Sequence, residues 1–196
     1  MQLALFDFDH TLTRCDTDAR FLRVVATPAQ LAQARWTVGP WLLGYRARIV
    51  SPARMRARAT PVALTGRCAA ALATRAMEYA AAELPRLLRP DMMARLAWHL
   101  GQGHRVVVVS GSLDLYLRPW CAQHGPELIC NRLETVDGAA TGRYAGGDVG
   151  ARKAVEIGRH LHLPDYTRIH AYGDSREDRG MLALAHERWY RGRRVA

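Results

Sequence analysis

Apolar residues run almost unbroken through "QLALFDF", residues 2–8, until Asp7 and Asp9 close the run. A short apolar run of this kind predicts a strand buried on both faces. Residues 14 to about 90 then change character. They are rich in Ala, Arg and Leu at helix-compatible spacing, with breaks near Pro28, Gly39-Pro40, Ser51-Pro52 and Pro61, and so predict an all-helical insertion. From Pro90 the pattern alternates. "DMMARLAWHLGQG" predicts a helix closed by glycine, "HRVVVVSGS" a doubly buried strand, "LDLYLRPWCAQHG" a helix and "ELICN" a short strand. Asp137-Gly138, between two short runs in residues 132–146, predicts a β-hairpin. A helix "ARKAVEIGRHLH" and a strand "TRIHAYGDS" follow. Such alternation predicts an α/β protein: a parallel sheet with helices on both faces and a helical segment inserted after the first strand.

A chain of 196 residues with 49% hydrophobic content suffices for one core with a sizeable insertion. Cys15, Cys68, Cys121 and Cys130 show no CxxC spacing, which fits reduced thiols and a cytoplasmic setting. The start "MQLALFDFDH" has no basic n-region, and the apolar stretches "WLLG" and "CAAALATRAMEYAAAEL" are too short, or are broken by Arg75 and Glu78, to span a bilayer. A soluble cytoplasmic protein is expected. Net charge +10 raises nucleic acid or an anionic surface as partners, but the 27 arginines are scattered and read mostly as solvated surface, so nucleic acid is not the expected partner. The single lysine is more informative. Arg and Lys are not interchangeable where a compact point charge must sit against an anion, which marks Lys153 as a candidate site residue.

Ligands of open α/β sheets bind outside the carboxyl ends of the strands. Three predicted strands end there in polar residues: Asp7 and Asp9, Ser110 and Ser112, Asp174 and Ser175. Gathered carboxylates need a cation, and an all-oxygen set favours a hard one such as Mg²⁺. "DFDHT" resembles the DxDxT signature of the haloacid dehalogenase superfamily, "VVVVSGS" its second motif, Lys153 its third and "YGDSREDRGML" its GDxxxD fourth. The order of the four, with the helical insertion directly after the first, is similar to the phosphoserine phosphatase-like branch.

That resemblance implies a Rossmann-like catalytic core over residues 1–13 and 90–196 with a helical cap over 14–89, and a Mg²⁺-dependent phosphomonoesterase working through an aspartyl-phosphate. Asp7 would be the nucleophile and Asp9 the acid and base. Mg²⁺ would be held by the Asp7 carboxylate, the Asp9 backbone carbonyl and Asp174, with Asp178 as a ligand or its support. Ser110 and the Gly111 amide would hold phosphate oxygens, and Lys153 would neutralise shared charge. Asp16 stands where phosphoserine phosphatases commonly carry a Glu that meets the substrate ammonium, and Arg46, Arg48, Arg54, Arg56 and Arg58 are all available for a carboxylate. His10 stands where the branch usually has a small residue. Substrates in view are phosphoserine or a related small organic phosphate. The alternative is a lipid phosphate such as phosphatidylglycerophosphate, because "ARWTVGPWLLGYRARIV" interleaves aromatic and basic residues and suits peripheral membrane contact through the cap. Packing of those aromatics into the cap's own core is the favoured rival. From a different class, a catalytically silent basic protein binding nucleic acid or a membrane surface would keep the fold without the chemistry.

Overall fold

A computed structural model describes residues 1–47 and 49–195. Arg48 therefore lies outside the described residues. The first strand, β1 (Gln2–Phe6), stops one residue before Asp7, shorter than the predicted 2–8. It sits at the centre of a six-stranded sheet in the order β3-β2-β1-β6-β7-β8. Here β2 spans Arg105–Leu113, β3 Glu127–Asn131, β6 Arg168–Gly173, β7 Glu187–Tyr190 and β8 Arg193–Val195. All neighbours are parallel except the final β7–β8 pair. Sequence pattern had given no strand beyond β6, because "ERWY" and "RRV" are short and never fully buried.

The strand order reverses at β1, with β2 on one side and β6 on the other, so the crevice expected for ligands opens at the carboxyl ends of these three. Alternation divides the core between the two faces. Ala4, Phe6, Val106 and Val108 pack with one set of helices, and Leu3, Leu5, Val107 and Val109 with Ile157 and Met181 on the other. These last two belong to α9 (Lys153–His160) and α10 (Arg179–Ala183).

The segment after β1 is helical as its spacing predicts. It runs through α1 (Thr17–Val25), α2 (Pro28–Thr37), α3 (Gly39–Arg46), α4 (Pro52–Leu64), α5 (Ala69–Ala82) and α6 (Leu84–Leu87). Its base is not packed separately from the sheet. Phe21, Leu64, Leu72 and Tyr79 share one apolar cluster with Phe6 and Phe8, and with Tyr116 and Trp120 of α8 (Asp114–His124). By contrast, α2 and α3 contribute no buried residue. Trp36 is 85% exposed and Leu43 69%, with Ile49 beyond at 80%, whereas Trp41, Leu42 and Tyr45 are half-buried, so this stretch packs into the cap only in part. The hairpin β4 (Leu133–Val136) and β5 (Ala139–Tyr144) turns on Asp137 and Gly138, both at positive φ, the conformation that Asp-Gly accommodates in a two-residue turn. Its second strand packs against α4.

Candidate active site

Past β1 the chain makes a tight irregular turn over Phe8–Leu12. His10 occupies its left-handed position, at φ 58° and ψ −3°. Glycine fits there without a Cβ penalty, which accounts physically for the small residue expected; His10 is exposed and bears that strain instead. The turn is tied by Thr13, whose hydroxyl donates to the carbonyls of Phe8 and Cys15. Thr11 has a different task from satisfying the turn: its hydroxyl donates to Asp7 Oδ2 at 3.1 Å.

Asp7 is buried, and its other oxygen accepts from Lys153 Nζ at 2.5 Å. Lys153 opens α9 and also donates to Asp178 Oδ1 at 2.6 Å. Burial works to lower the lysine's proton affinity, but Asp7 and Asp178 raise it above the ordinary value, so the ammonium stays charged. Asp178 is fully buried rather than a surface acid between arginines. Its Oδ2 accepts from the Asp174 and Ser175 amides at 3.1 and 2.8 Å and from the Ser175 hydroxyl at 2.8 Å. It thereby fixes the loop after β6. Close approach at Gly173 leaves no room for a Cβ beside Asp178.

Asp7, Asp174 and Asp178 bring one carboxylate oxygen each within 4.8 Å of one another. Three carboxylates against one ammonium leave a net charge of −2, and burial followed by the Asp178 charge pushes the Asp7 carboxyl well above the usual range despite Lys153. This oxygen-only set with two uncompensated charges fits a hard divalent cation. Asp178 Oδ2 is fully engaged by the Asp174 and Ser175 donors, while Oδ1 accepts from Lys153 alone, so Asp178 fits either support or a ligand beside Asp7 and Asp174.

Asp9 is turned the other way, toward the helical segment. Oδ1 accepts from the Thr17 amide (2.8 Å) and hydroxyl (2.5 Å), and Oδ2 from the Ser112 hydroxyl (2.5 Å). Burial, then Asp16, raise its pKa to about 6. The acid is thus poised near neutrality while its neighbour two residues earlier is held by a cation.

The carboxyl end of β2, where its register with β3 shifts, loops out to present Ser110 and Gly111. Ser110 is buried and its hydroxyl accepts from the Ser112 amide at 3.1 Å; α8 begins at Asp114 without a side-chain cap, so Ser110 does not cap it. Buried Asn131 steadies the loop by donating to the Gly111 carbonyl at 2.6 Å and to Asp148 at 3.2 Å. A Cβ on Gly111 would lie 2.8 Å from the Arg56 guanidinium carbon, so the arginine is seated directly over this loop. Arg56 comes from α4 and pairs with Asp148 and Glu177 at about 3.0 Å. Burial opposes its charge, but Glu177 and Asp148 raise its proton affinity overall.

Of the five candidate arginines, only proximity in the fold singles out Arg56; nothing in a run of alternating Arg and Ala distinguishes it. Asp16 proves to be the N-cap of α1, accepting from the Ala19 amide at 2.8 Å. Two residues on, Asp18 is buried with Oδ1 unpartnered, and burial followed by the Asp16 and Asp9 charges pushes its carboxyl well up. Sequence reasoning missed Asp18, Thr17, Asn131 and the Arg56 partners.

A mostly parallel sheet with its polar cluster at the strand reversal, and a lysine joining the first and last acids, defines an α/β hydrolase of the haloacid dehalogenase type. The chain matches the family model of haloacid dehalogenase-like hydrolases over residues 4–183 and belongs to that family. Protein CicA of Caulobacter vibrioides is 34% identical over 199 residues, covering 96% of this chain and 85% of that one. A Bordetella pertussis Tohama I protein of unknown function superposes at TM-score 0.80, with 25% identity over 95% of this chain and 88% of that one. A substrate-bound phosphoserine phosphatase superposes at TM-score 0.69 with 18% identity, over 96% of this chain and 84% of that one, a likeness of fold.

Proposed function

We propose that the protein is a Mg²⁺-dependent phosphomonoester phosphatase that forms an aspartyl-phosphate on Asp7. The observation that carries this reading is the buried Asp7–Lys153–Asp178 chain at the strand reversal, with Thr11 on the free edge of Asp7 and the Ser110–Gly111 loop beside it. Asp7, Asp174 and the Asp9 backbone carbonyl would hold the metal, which supplies charge neutralisation for nucleophile and phosphate. Asp7 attacks phosphorus while Thr11 and Lys153 orient its carboxylate. Asp9, its pKa raised to about 6, gives its proton from the protonated fraction to the leaving oxygen and later takes one from water. Ser110 and the Gly111 amide hold phosphate oxygens.

Residues 14–89 act as the cap over a core of 1–13 and 90–196, with the α2–α4 tip as its mobile part. Arg56 latches that tip to Asp148 and Glu177. The unpartnered Asp18 is a better candidate than Asp16 for a donor on the leaving group of a small organic phosphate such as phosphoserine. Phosphate release from a panel of phosphomonoesters, with Mg²⁺ or chelator, tests the reading. Metal-dependent turnover lost in Asp7→Asn supports it; turnover that persists in Asp7→Asn, or a folded Mg²⁺-supplied wild type inert on the whole panel, overturns it.

A second reading, a lipid-linked phosphate such as phosphatidylglycerophosphate, is favoured by the exposed Trp36 on α2, Leu43 on α3 and Ile49 just beyond it. Including that lipid in vesicles within the panel separates the two.

A further inference from the structure

At the opposite end of the sheet from the acids, three histidines from separate elements converge. His99 lies near the end of α7 (Pro90–Gly101), His104 just before β2, and His170 within β6. His99 and His170 are buried and His104 is half-buried. One ring nitrogen from each lies within 4.8 Å of the other two. His170 precedes Asp174 by four residues of extended chain, roughly 13 Å at the rise of a strand, so this cluster is separate from the carboxylates.

We propose that His99, His104 and His170 form a binding site for Zn²⁺, a three-imidazole brace between α7 and the sheet. Three imidazoles around a tetrahedral zinc, with Zn–N of about 2.0–2.1 Å, place their ring centroids roughly 5 Å apart. The observed separations are 5.1, 4.8 and 5.9 Å. His99 Nδ1 meets His104 Nδ1 at 2.8 Å, a hydrogen bond in which one ring donates to the other; the two nitrogens need to part by only about half an ångström to share a tetrahedral zinc.

The outer edges are already oriented. His99 Nε2 meets the Tyr172 hydroxyl at 2.9 Å, and the two nitrogens of His170 face Gln2 Oε1 at 2.9 Å and Glu187 Oε2 at 3.6 Å. With Nδ1 of His170 turned to the metal, Gln2 Oε1 steadies Nε2, the arrangement that fixes imidazole ligands. Nitrogen donors exclude the hard cation suited to the carboxylate cluster and favour zinc or a neighbouring late transition metal. Arg95 stacks nearby on Trp98 and Trp189 and works against a cation, whereas Glu187 supplies the opposing charge.

The test uses the full chain, stripped with chelator and kept in excess Mg²⁺ so that the acidic cluster is filled. Titration with Zn²⁺ is followed by calorimetry and by the thermal midpoint, and Co²⁺ is added as a spectroscopic probe. Expected are one equivalent of zinc, a raised midpoint and the visible bands of tetrahedral cobalt. His104→Ala, the least buried ligand, should weaken zinc binding by more than about 100-fold, since loss even of a group behind a ligand costs up to that much. His104→Cys should restore binding and add a thiolate-to-cobalt charge-transfer band, which a merely structural histidine would not produce. Folded wild type that takes up no stoichiometric zinc, or zinc binding equal in wild type and His104→Ala, overturns the proposal. Phosphatase activity is not the readout, so failure here leaves the active-site reading untouched.

Discussion

At the scale of single residues, Asp9 links stability to chemistry. Its folded-state pKa of about 6 lies above the ordinary 3.8, so the folded chain keeps this proton longer than the unfolded one. The contribution of Asp9 to stability is therefore greatest below pH ~4, falls as pH rises, and is lost above about 6, on the order of 3 kcal/mol. Asp9→Asn keeps an acceptor for Thr17 and can donate to the Ser112 oxygen. It should be more stable than wild type at pH 7, with the gain vanishing in acid, as urea titrations at the two pH values would reveal. The same substitution should abolish most turnover, and wild-type kcat/KM should decline as pH rises past about 6, where the acid is lost. Lys153→Met should cost about 10²–10³-fold in kcat, the scale for a lost charge-stabilising donor, and should also destabilise the chain by leaving Asp7 and Asp178 unpaired. At the strained turn, His10→Gly should be neutral to stabilising by up to about 1 kcal/mol, whereas a β-branched residue there should destabilise; thermal midpoints distinguish them.

Among elements, Arg56 joins α4 to the loops carrying Asp148 and Glu177, and its side chain is only 14% exposed. Removing it leaves two half-buried carboxylates without their partner. Arg56→Met should cost on the order of 2 kcal/mol and, more tellingly, should speed amide exchange in α4 while leaving β2 and β6 protected. Uniform exchange across all three would mean that α4 is not a separately opening element. The same elements explain what the sequence made legible. Strands β1, β2 and β6 announce themselves because burial on both faces demands continuous apolar runs; Asp7, Ser110 and Asp174 stand out as polar groups where such runs end, and Lys153 as the single lysine among 27 arginines. The Arg56 latch, the unpartnered Asp18 and the three-histidine cluster were illegible for a common reason. Each depends on which helix face meets which loop, across separations such as 121 residues between Arg56 and Glu177, and no local spacing encodes that. Strands β7 and β8 escaped because an edge pair needs no apolar run.

For the molecule as a whole, the open question is where its charge and its exposed apolar tip act together. Net charge +10 alone would draw the protein to any polyanion, and that attraction fades with salt. Trp36, Leu43 and Ile49 add a contribution that salt does not screen, because burying apolar surface in a lipid interface is a hydrophobic term. The two terms separate in one experiment. Sedimentation with vesicles containing anionic lipid should give binding that weakens with salt but leaves a residue absent for nucleic acid of equal charge density. Trp36→Ser with Leu43→Ser should remove that residue and weaken vesicle binding at least about tenfold, equivalent to about 1.4 kcal/mol, without changing turnover of a water-soluble phosphomonoester. If the double variant binds vesicles as wild type does, the tip is not a membrane contact, and the lipid-phosphate reading loses the observation that favours it. If only the variant's activity on vesicle-borne substrate collapses, the tip brings Asp7 to a substrate that stays in its bilayer.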